Sequence, residues 1–300
     1  MRFQIVIILV WLCGMPVAQA SEESVRLGGM DVTVWSQGTN DGGRQPVIIF
    51  SHGFHGCATQ SRFLMEALAS EGYVVFAPNH RDATCNGGKS RWIDKPDLPF
   101  QRPEVWSENS YRNRAEDIRG LIEAIRVDDR FRTLANLSRL GLAGHSLGGY
   151  TVLGLGGAWS AWRLSGVKAV LALSPYSQPF VQHNSLAGLS APVMYQGGTW
   201  DLAITPAIRK SMGSFDRSPE PKYYVEFKKT GHFAWADIGG TTAREAIIAY
   251  SLAFMNHYVK GEPADPLLRQ DRTLPGVAVF RYASEIGNTD AGRDRGRVNR

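Results

Sequence analysis

The segment Leu140-Gly141-Leu142-Ala143 runs without a break into Gly144-His145-Ser146-Leu147-Gly148-Gly149. The first four residues form a short apolar run of the kind that makes a buried strand, and residues 147–156 read as the helix that follows it. The pattern joining them is G-x-S-x-G, and no other feature restricts the chain as much. A serine on a sharp strand-to-helix turn is held at strained backbone angles. The flanking glycines are required where a side chain would collide with the neighbouring strand and helix. The turn sets the serine hydroxyl at the C-terminal edge of a sheet, beside the free backbone N–H groups that open a helix.

The rest of the chain agrees with a sheet of that kind. Val47 to Phe50, Tyr73 to Ala77, Val167 to Leu173, Val193 to Gln196 and Tyr223 to Phe227 are further apolar runs of strand length. Amphipathic stretches separate them. Residues 59–71 carry Phe63, Leu64, Ala67 and Leu68 at helical spacing, and 110–127 carry Ile118, Leu121, Ile122 and Ile125 on one face. Residues 241–259 read as a closing helix. Strands that alternate with helices predict a mostly parallel sheet covered on both faces, and continuous rather than alternating apolar strands fit that burial. Val25 to Trp35 alternates around Gly28-Gly29 and reads as an antiparallel hairpin added at the edge. One domain over 21–262 is expected, with 263–300 as a C-terminal extension.

With Ser146 as nucleophile, the chain order nucleophile, acid, histidine selects its partners. His232 lies in Lys229-Thr230-Gly231-His232-Phe233, a loop just after a strand, and is the expected general base. His183 precedes the strand that leads to the acid, and His257 falls within the closing helix. Asp201 follows Val193 to Gln196 through Gly197-Gly198-Thr199-Trp200 and is the expected acid. Asp237 comes after the histidine, and Asp216 has no strand before it. The work assigned to Asp201 is to hold one tautomer of His232 and to stabilise its imidazolium.

Ser51-His52-Gly53-Phe54-His55-Gly56 follows the first strong strand and is expected to supply an oxyanion donor. The backbone N–H groups of Phe54 and Leu147 are assigned that role. His52 and His55 invite a metal reading, but two histidines without a carboxylate partner make a poor ligand set, so neither metal nor cofactor is expected. Phe54, Trp200, Phe233 and Trp235 flank these motifs and are expected to line a substrate pocket. Trp106, in the long connection 79–109, is a candidate lid residue.

Arg2, the apolar stretch Ile5 to Leu12 and Ala18-Gln19-Ala20 have the form of a cleavable export signal, with the mature chain starting at Ser21. Trp11 and Leu12 before Cys13 argue against a lipid anchor, and no segment has the apolar length of a membrane-spanning helix. A secreted or periplasmic protein is expected. Loss of Cys13 leaves Cys57 and Cys85, each following one of two neighbouring strands, and these are expected to pair. The net charge is +5. Much of the excess sits in Arg293, Arg295, Arg297 and Arg300, a run that reads as a solvated tail rather than a nucleic-acid surface. A monomer with an ester as its partner is expected.

Pro46 to Gly56, Ala77-Pro78-Asn79-His80-Arg81-Asp82 and Gly144 to Gly149 resemble bacterial dienelactone hydrolase-like proteins of the platelet-activating-factor acetylhydrolase type. Gly198-Thr199-Trp200-Asp201, Thr205-Pro206 and Gly231-His232-Phe233 also resemble bacterial cutinases and polyester hydrolases. The resemblance spans roughly 45–258. It implies the α/β-hydrolase fold and ester hydrolysis by a serine nucleophile. True dienelactone hydrolases carry cysteine where this chain has Ser146. Cutinase-like enzymes often carry a C-terminal disulfide, whereas this chain has no cysteine after Cys85.

Overall fold

The computed structural model describes residues 20–38, 43–85, 90–269 and 273–283. The segment before Ala20 expected to be an export signal, including Cys13, and the arginine run 293–300 lie outside the described residues.

Nine strands make one sheet: β1 Ser21–Leu27, β2 Met30–Ser36, β3 Gln45–Ser51, β4 Val74–Pro78, β5 Ala135–His145, β6 Val167–Leu173, β7 Val193–Gly198, β8 Lys222–Phe227 and β9 Val277–Ala283. Their order across the sheet is β1-β2-β4-β3-β5-β6-β7-β8-β9. The six strands from β4 to β8 run parallel. The expected hairpin β1–β2 is antiparallel and docks antiparallel on β4. The helices are α1 Arg62–Ser70, α2 Arg112–Val127, α3 Phe131–Leu134, α4 Leu147–Leu153, α5 Gln178–Gln182, α6 Thr205–Arg209, α7 Ser214–Arg217 and α8 Arg244–Met255.

The apolar strands explain the two layers of cover. Side chains alternate across a strand, so a continuous apolar run feeds both faces. Val47 and Ile49 of β3, with Val74 and Phe76 of β4, pack on the face covered by Ile118, Leu121, Ile122 and Ile125 of α2. Ile48 and Phe50, with Val75 and Ala77, pack on the opposite face against Leu64, Met65 and Leu68 of α1 and Ile247, Tyr250 and Phe254 of α8. Each fully buried Leu, Ile or Phe stabilises the fold by about 1.5–3 kcal/mol relative to exposure.

The sheet continues past residue 262, which corrects the expected domain boundary. β9 pairs antiparallel with β8, from Lys222 opposite Ala283 to Phe227 opposite Val277, and buries Val277 and Phe280. The alternation in Val277-Ala278-Val279-Phe280 suits an edge strand with one buried face. Cys57 and Cys85 form a disulfide with Cα atoms 5.7 Å apart, joining the loops after β3 and β4. No helix among the described residues is long and apolar enough to cross a membrane.

The chain runs β3 to β4 on one side, then crosses back to place β5 on the other side of β3. That reversal opens a crevice beyond the C-terminal ends of β3 and β5, where ligands bind in open α/β sheets.

Candidate active site

Ser146 stands at the end of β5 with φ 56° and ψ −115°, in the strained turn expected of it. The turn is tight enough to need glycine. A Cβ on Gly144 would lie 2.3 Å from the Gly148 carbonyl oxygen, and one on Gly148 would lie 1.9 Å from that of Ser51. The Ser146 N–H donates to the Leu173 carbonyl at 3.0 Å, and its own carbonyl accepts from Tyr150 and Tyr176. The elbow is thereby tied to the neighbouring strand as well as to its helix.

Loops from three strand ends bring the polar side chains together. His232 Nε2 lies 2.9 Å from Ser146 Oγ, and its Nδ1 lies 3.0 Å from Asp201 Oδ2. Asp201 is 3% exposed. It follows β7, where Gly198 accepts the Asp201 N–H and Asp201 in turn accepts the Thr205 N–H that opens α6. The residues selected by chain order are therefore adjacent in space. The rejected ones are engaged elsewhere: His183 with the Trp106 carbonyl, His257 with the Glu262 carbonyl, Asp216 with Arg281, and Asp237 with the amides of Arg62 and Phe63.

Sequence reading missed three residues that hold this group. Ser174, just past β6, is fully buried with φ 40°. Its hydroxyl donates to Asp201 Oδ2, and its oxygen sits 3.0 Å from His232 Nδ1. It therefore touches both Asp201 and His232. The only signal for it was its place at the end of the strand between β5 and β7. Ser174→Ala is expected to lower kcat about tenfold with KM unchanged, the cost of one hydrogen bond to a buried charge. Steady-state kinetics on a soluble ester check it.

The other two are Gln60 and His145. The Gly53 N–H donates to Gln60 Oε1 at 2.9 Å, and Gln60 Nε2 donates to His145 Nδ1 at 2.8 Å. His145 Nε2 donates to the His232 carbonyl at 2.8 Å. Burial, with the nearby His232 adding to it, lowers the His145 pKa to about 3, so the ring is neutral and has one donor and one acceptor nitrogen. This chain links the loop after β3, the elbow and the base loop.

Gly53 lies against Ser146: a Cβ there would be 3.4 Å from Ser146 Cβ. Among the described residues, neither the Phe54 nor the Leu147 N–H donates a hydrogen bond, which leaves both amides free at the elbow. His52 uses both ring nitrogens within the protein: Nδ1 donates to the Gly53 carbonyl, and Nε2 accepts from the His80 N–H.

A cavity of about 650 Å³ opens over Ser146 and His232. Phe54, Trp92, Phe100, Tyr176, Ile204, Phe233 and Ile238 line it. Phe54 and Phe233 thus lie where expected, but Trp235 and Trp200 do not. Trp235 is fully buried behind the site, donating to Gln196 and lying 6.2 Å centroid to centroid from the ring of His145. Its place in a turn that packs on the core turns it inward. Trp200 is 64% exposed and outside the lining, because the turn that aims Asp201 inward aims its neighbour outward. Trp106 is no lid: it is fully buried beneath Phe100 and Tyr176, with its indole N–H on the Pro99 carbonyl.

Comparison with known proteins adds two likenesses. The family model of platelet-activating factor acetylhydrolase, isoform II, matches residues 21–97, a stretch that holds the loop after β3 and His80-Arg81-Asp82 but ends before Ser146. Cutinase est2 and Cutinase est1 of Thermobifida alba are each 24% identical to the chain, over 213 and 214 residues. Those matches cover 71% of this chain but only 59% and 60% of the two relatives' own lengths. Both likenesses are to esterases, and the chain resembles ester hydrolases of the α/β-hydrolase fold.

Proposed function

We propose that this α/β-hydrolase-fold chain is an exported serine ester hydrolase that works through an acyl-enzyme. The observation that carries the reading is the line of contacts Ser146 Oγ to His232 Nε2 to Asp201, at 2.9 Å and 3.0 Å, at the floor of an apolar cleft. His232 takes the hydroxyl proton as Ser146 Oγ attacks the ester carbonyl carbon. The carbonyl oxygen becomes an oxyanion that accepts from the N–H groups of Phe54 and Leu147. The tetrahedral species collapses, the ester C–O bond breaks, and His232 returns the proton to the departing alcohol. Water, deprotonated by His232, then attacks the acyl-enzyme, and Ser146 is released with the acid.

The cleft favours apolar acyl or alcohol groups, since rings and branched chains make up much of its lining around Ser146 and His232. Its rim is open. Trp92, Phe233 and Ile238 are 69%, 56% and 77% exposed there, which favours a second reading in which a polyester chain lies across the mouth. Two relatives bear the name cutinase, which accords with that reading. The disulfide supports an oxidising compartment, and with it export.

Two assays test this. A fluorophosphonate is expected to add its mass to the peptide bearing Ser146. Rates on p-nitrophenyl esters from acetate to laurate are expected to peak at short to medium chains, with no jump above the solubility limit, since none of the described residues covers the cleft. If no ester is hydrolysed and Ser146 takes no label, the proposal falls.

A further inference from the structure

His80 and Asp82 of His80-Arg81-Asp82 take no part in the steps above, yet they flank the buried guanidinium of Arg114. Arg114, from α2, is fully buried. Its guanidinium grips Asp82 with two hydrogen bonds, Nε to Oδ1 at 3.0 Å and Nη2 to Oδ2 at 2.7 Å. The remaining donors go to the end of β3 and the loop after it: Nη1 to Ser51 Oγ at 3.3 Å and to the His52 carbonyl at 2.7 Å, and Nη2 to the Gly53 carbonyl at 3.2 Å. Burial opposes the ionisation of Asp82, but the adjoining guanidinium outweighs it and holds the carboxyl well below the usual range. A buried ion pair of this kind is a costly way to stabilise a fold, and well-packed apolar residues often serve as well.

What the pair does is fix peptide planes. A trans peptide points its C=O and the following N–H in opposite directions. Arg114, together with His52 Nδ1 at 2.7 Å, holds the Gly53 carbonyl inward, so the Phe54 N–H of the same peptide faces the other way. The neighbouring amides are taken. Gly53 N–H goes to Gln60, His55 N–H to Asp82 at 3.4 Å, and Gly56 N–H to the Gly53 carbonyl. In this stretch the Phe54 amide alone is left without an acceptor among the described residues.

We propose that Arg114, braced by Asp82, is a positioning residue that presets the Phe54 N–H as an oxyanion donor. The inference rests on the ester-hydrolase reading above. It assigns Arg114 no contact with substrate. Preorganised donors stabilise developing charge without rearranging during the reaction, so a loop left to rotate loses part of the two to three orders of magnitude that one such donor supplies.

The test compares wild type with Arg114→Lys and with the isosteric Asp82→Asn. Lysine keeps the charge but cannot span two carbonyls and a carboxylate. Rates are taken per phosphonate-titrated site, so unfolded molecules do not count. The substrates are an ester and the matching thionoester, whose sulfur is a poor acceptor for an oxyanion donor. Arg114→Lys is expected to lower kcat on the ester about 10- to 100-fold with little change in KM, and to shrink the ester-to-thionoester rate ratio. Asp82→Asn is expected to move both in the same direction by less. If per-site kcat and the ratio match wild type in Asp82→Asn and in any titratable Arg114→Lys, the cluster is merely structural and the proposal is overturned. Failure of the ester-hydrolase reading looks different, because wild type itself then turns over neither substrate.

Discussion

Ser146→Ala is expected to lower kcat on a p-nitrophenyl ester by about 10⁵-fold, and adding His232→Ala is expected to lower it hardly further. The two side chains act as one unit. Without the hydroxyl there is no nucleophile for the imidazole to deprotonate, and without the imidazole the hydroxyl stays a weak one. Rate remaining above water then comes from the free amides and the cleft, which neither substitution touches. The loss is specific to chemistry. Ser146 is only part-buried at the cleft floor, and alanine faces the same strained φ that serine already bears. Thermal unfolding is therefore expected to change little, within the roughly 0.5 kcal/mol typical of sites outside the packed core. Initial rates of the two single variants and the double variant, with a melting curve for each, check this. Losses that multiply in the double variant would mean that Ser146 and His232 work independently.

The parts of the site legible in the sequence are those tied to chain order and local pattern. The elbow needs glycine at positions given by backbone collisions, and those collisions involve residues a few positions apart or on the adjacent strand. Asp201 and His232 can be placed beside Ser146 because each follows a strand, and parallel strands deliver their following loops to one edge of the sheet. Ser174 satisfies the same geometric rule, but serine after a strand is too common to stand out. Gln60, Arg114 and the ring of His145 were invisible for a different reason. Their roles depend on reaching 7, 62 and 87 residues along the chain to partners that only the folded sheet brings near. The aromatic residues divide by the same logic. Sequence places Trp200 and Trp235 beside catalytic motifs, but the direction of a side chain leaving a turn is decided by tertiary packing. β9 shows the complementary limit. Its alternating pattern is plain, yet only the free edge of β8 gives it something to pair with.

The buried histidines make stability depend steeply on pH. His52 and His80 are held well below the usual 6.5, first by burial and then by the Arg114 charge, while burial lowers His145 to about 3. In the unfolded chain all three take up a proton as pH falls through about 6.5, whereas the native state does not. The unfolded state then binds more protons, and stability falls with falling pH. Asp117 works the other way. Burial raises it to about 6, so from about 6 to 4 the native state keeps a proton that the unfolded chain has lost. Three histidines against one carboxyl leave a net uptake of protons on unfolding as pH falls below about 6, so stability falls with it. Asp82, whose folded pKa is depressed, adds to the loss only below about 4. Urea midpoints taken from pH 7 to 4 at constant m are expected to fall steeply below 6.5. In His145→Gln, which keeps a donor and an acceptor but cannot ionise, the slope is expected to be shallower by about 1.4 kcal/mol per unit. A midpoint that stays flat from pH 7 to 5 would mean that these rings are protonated inside the fold, with carboxylates such as Asp117 ionised beside them.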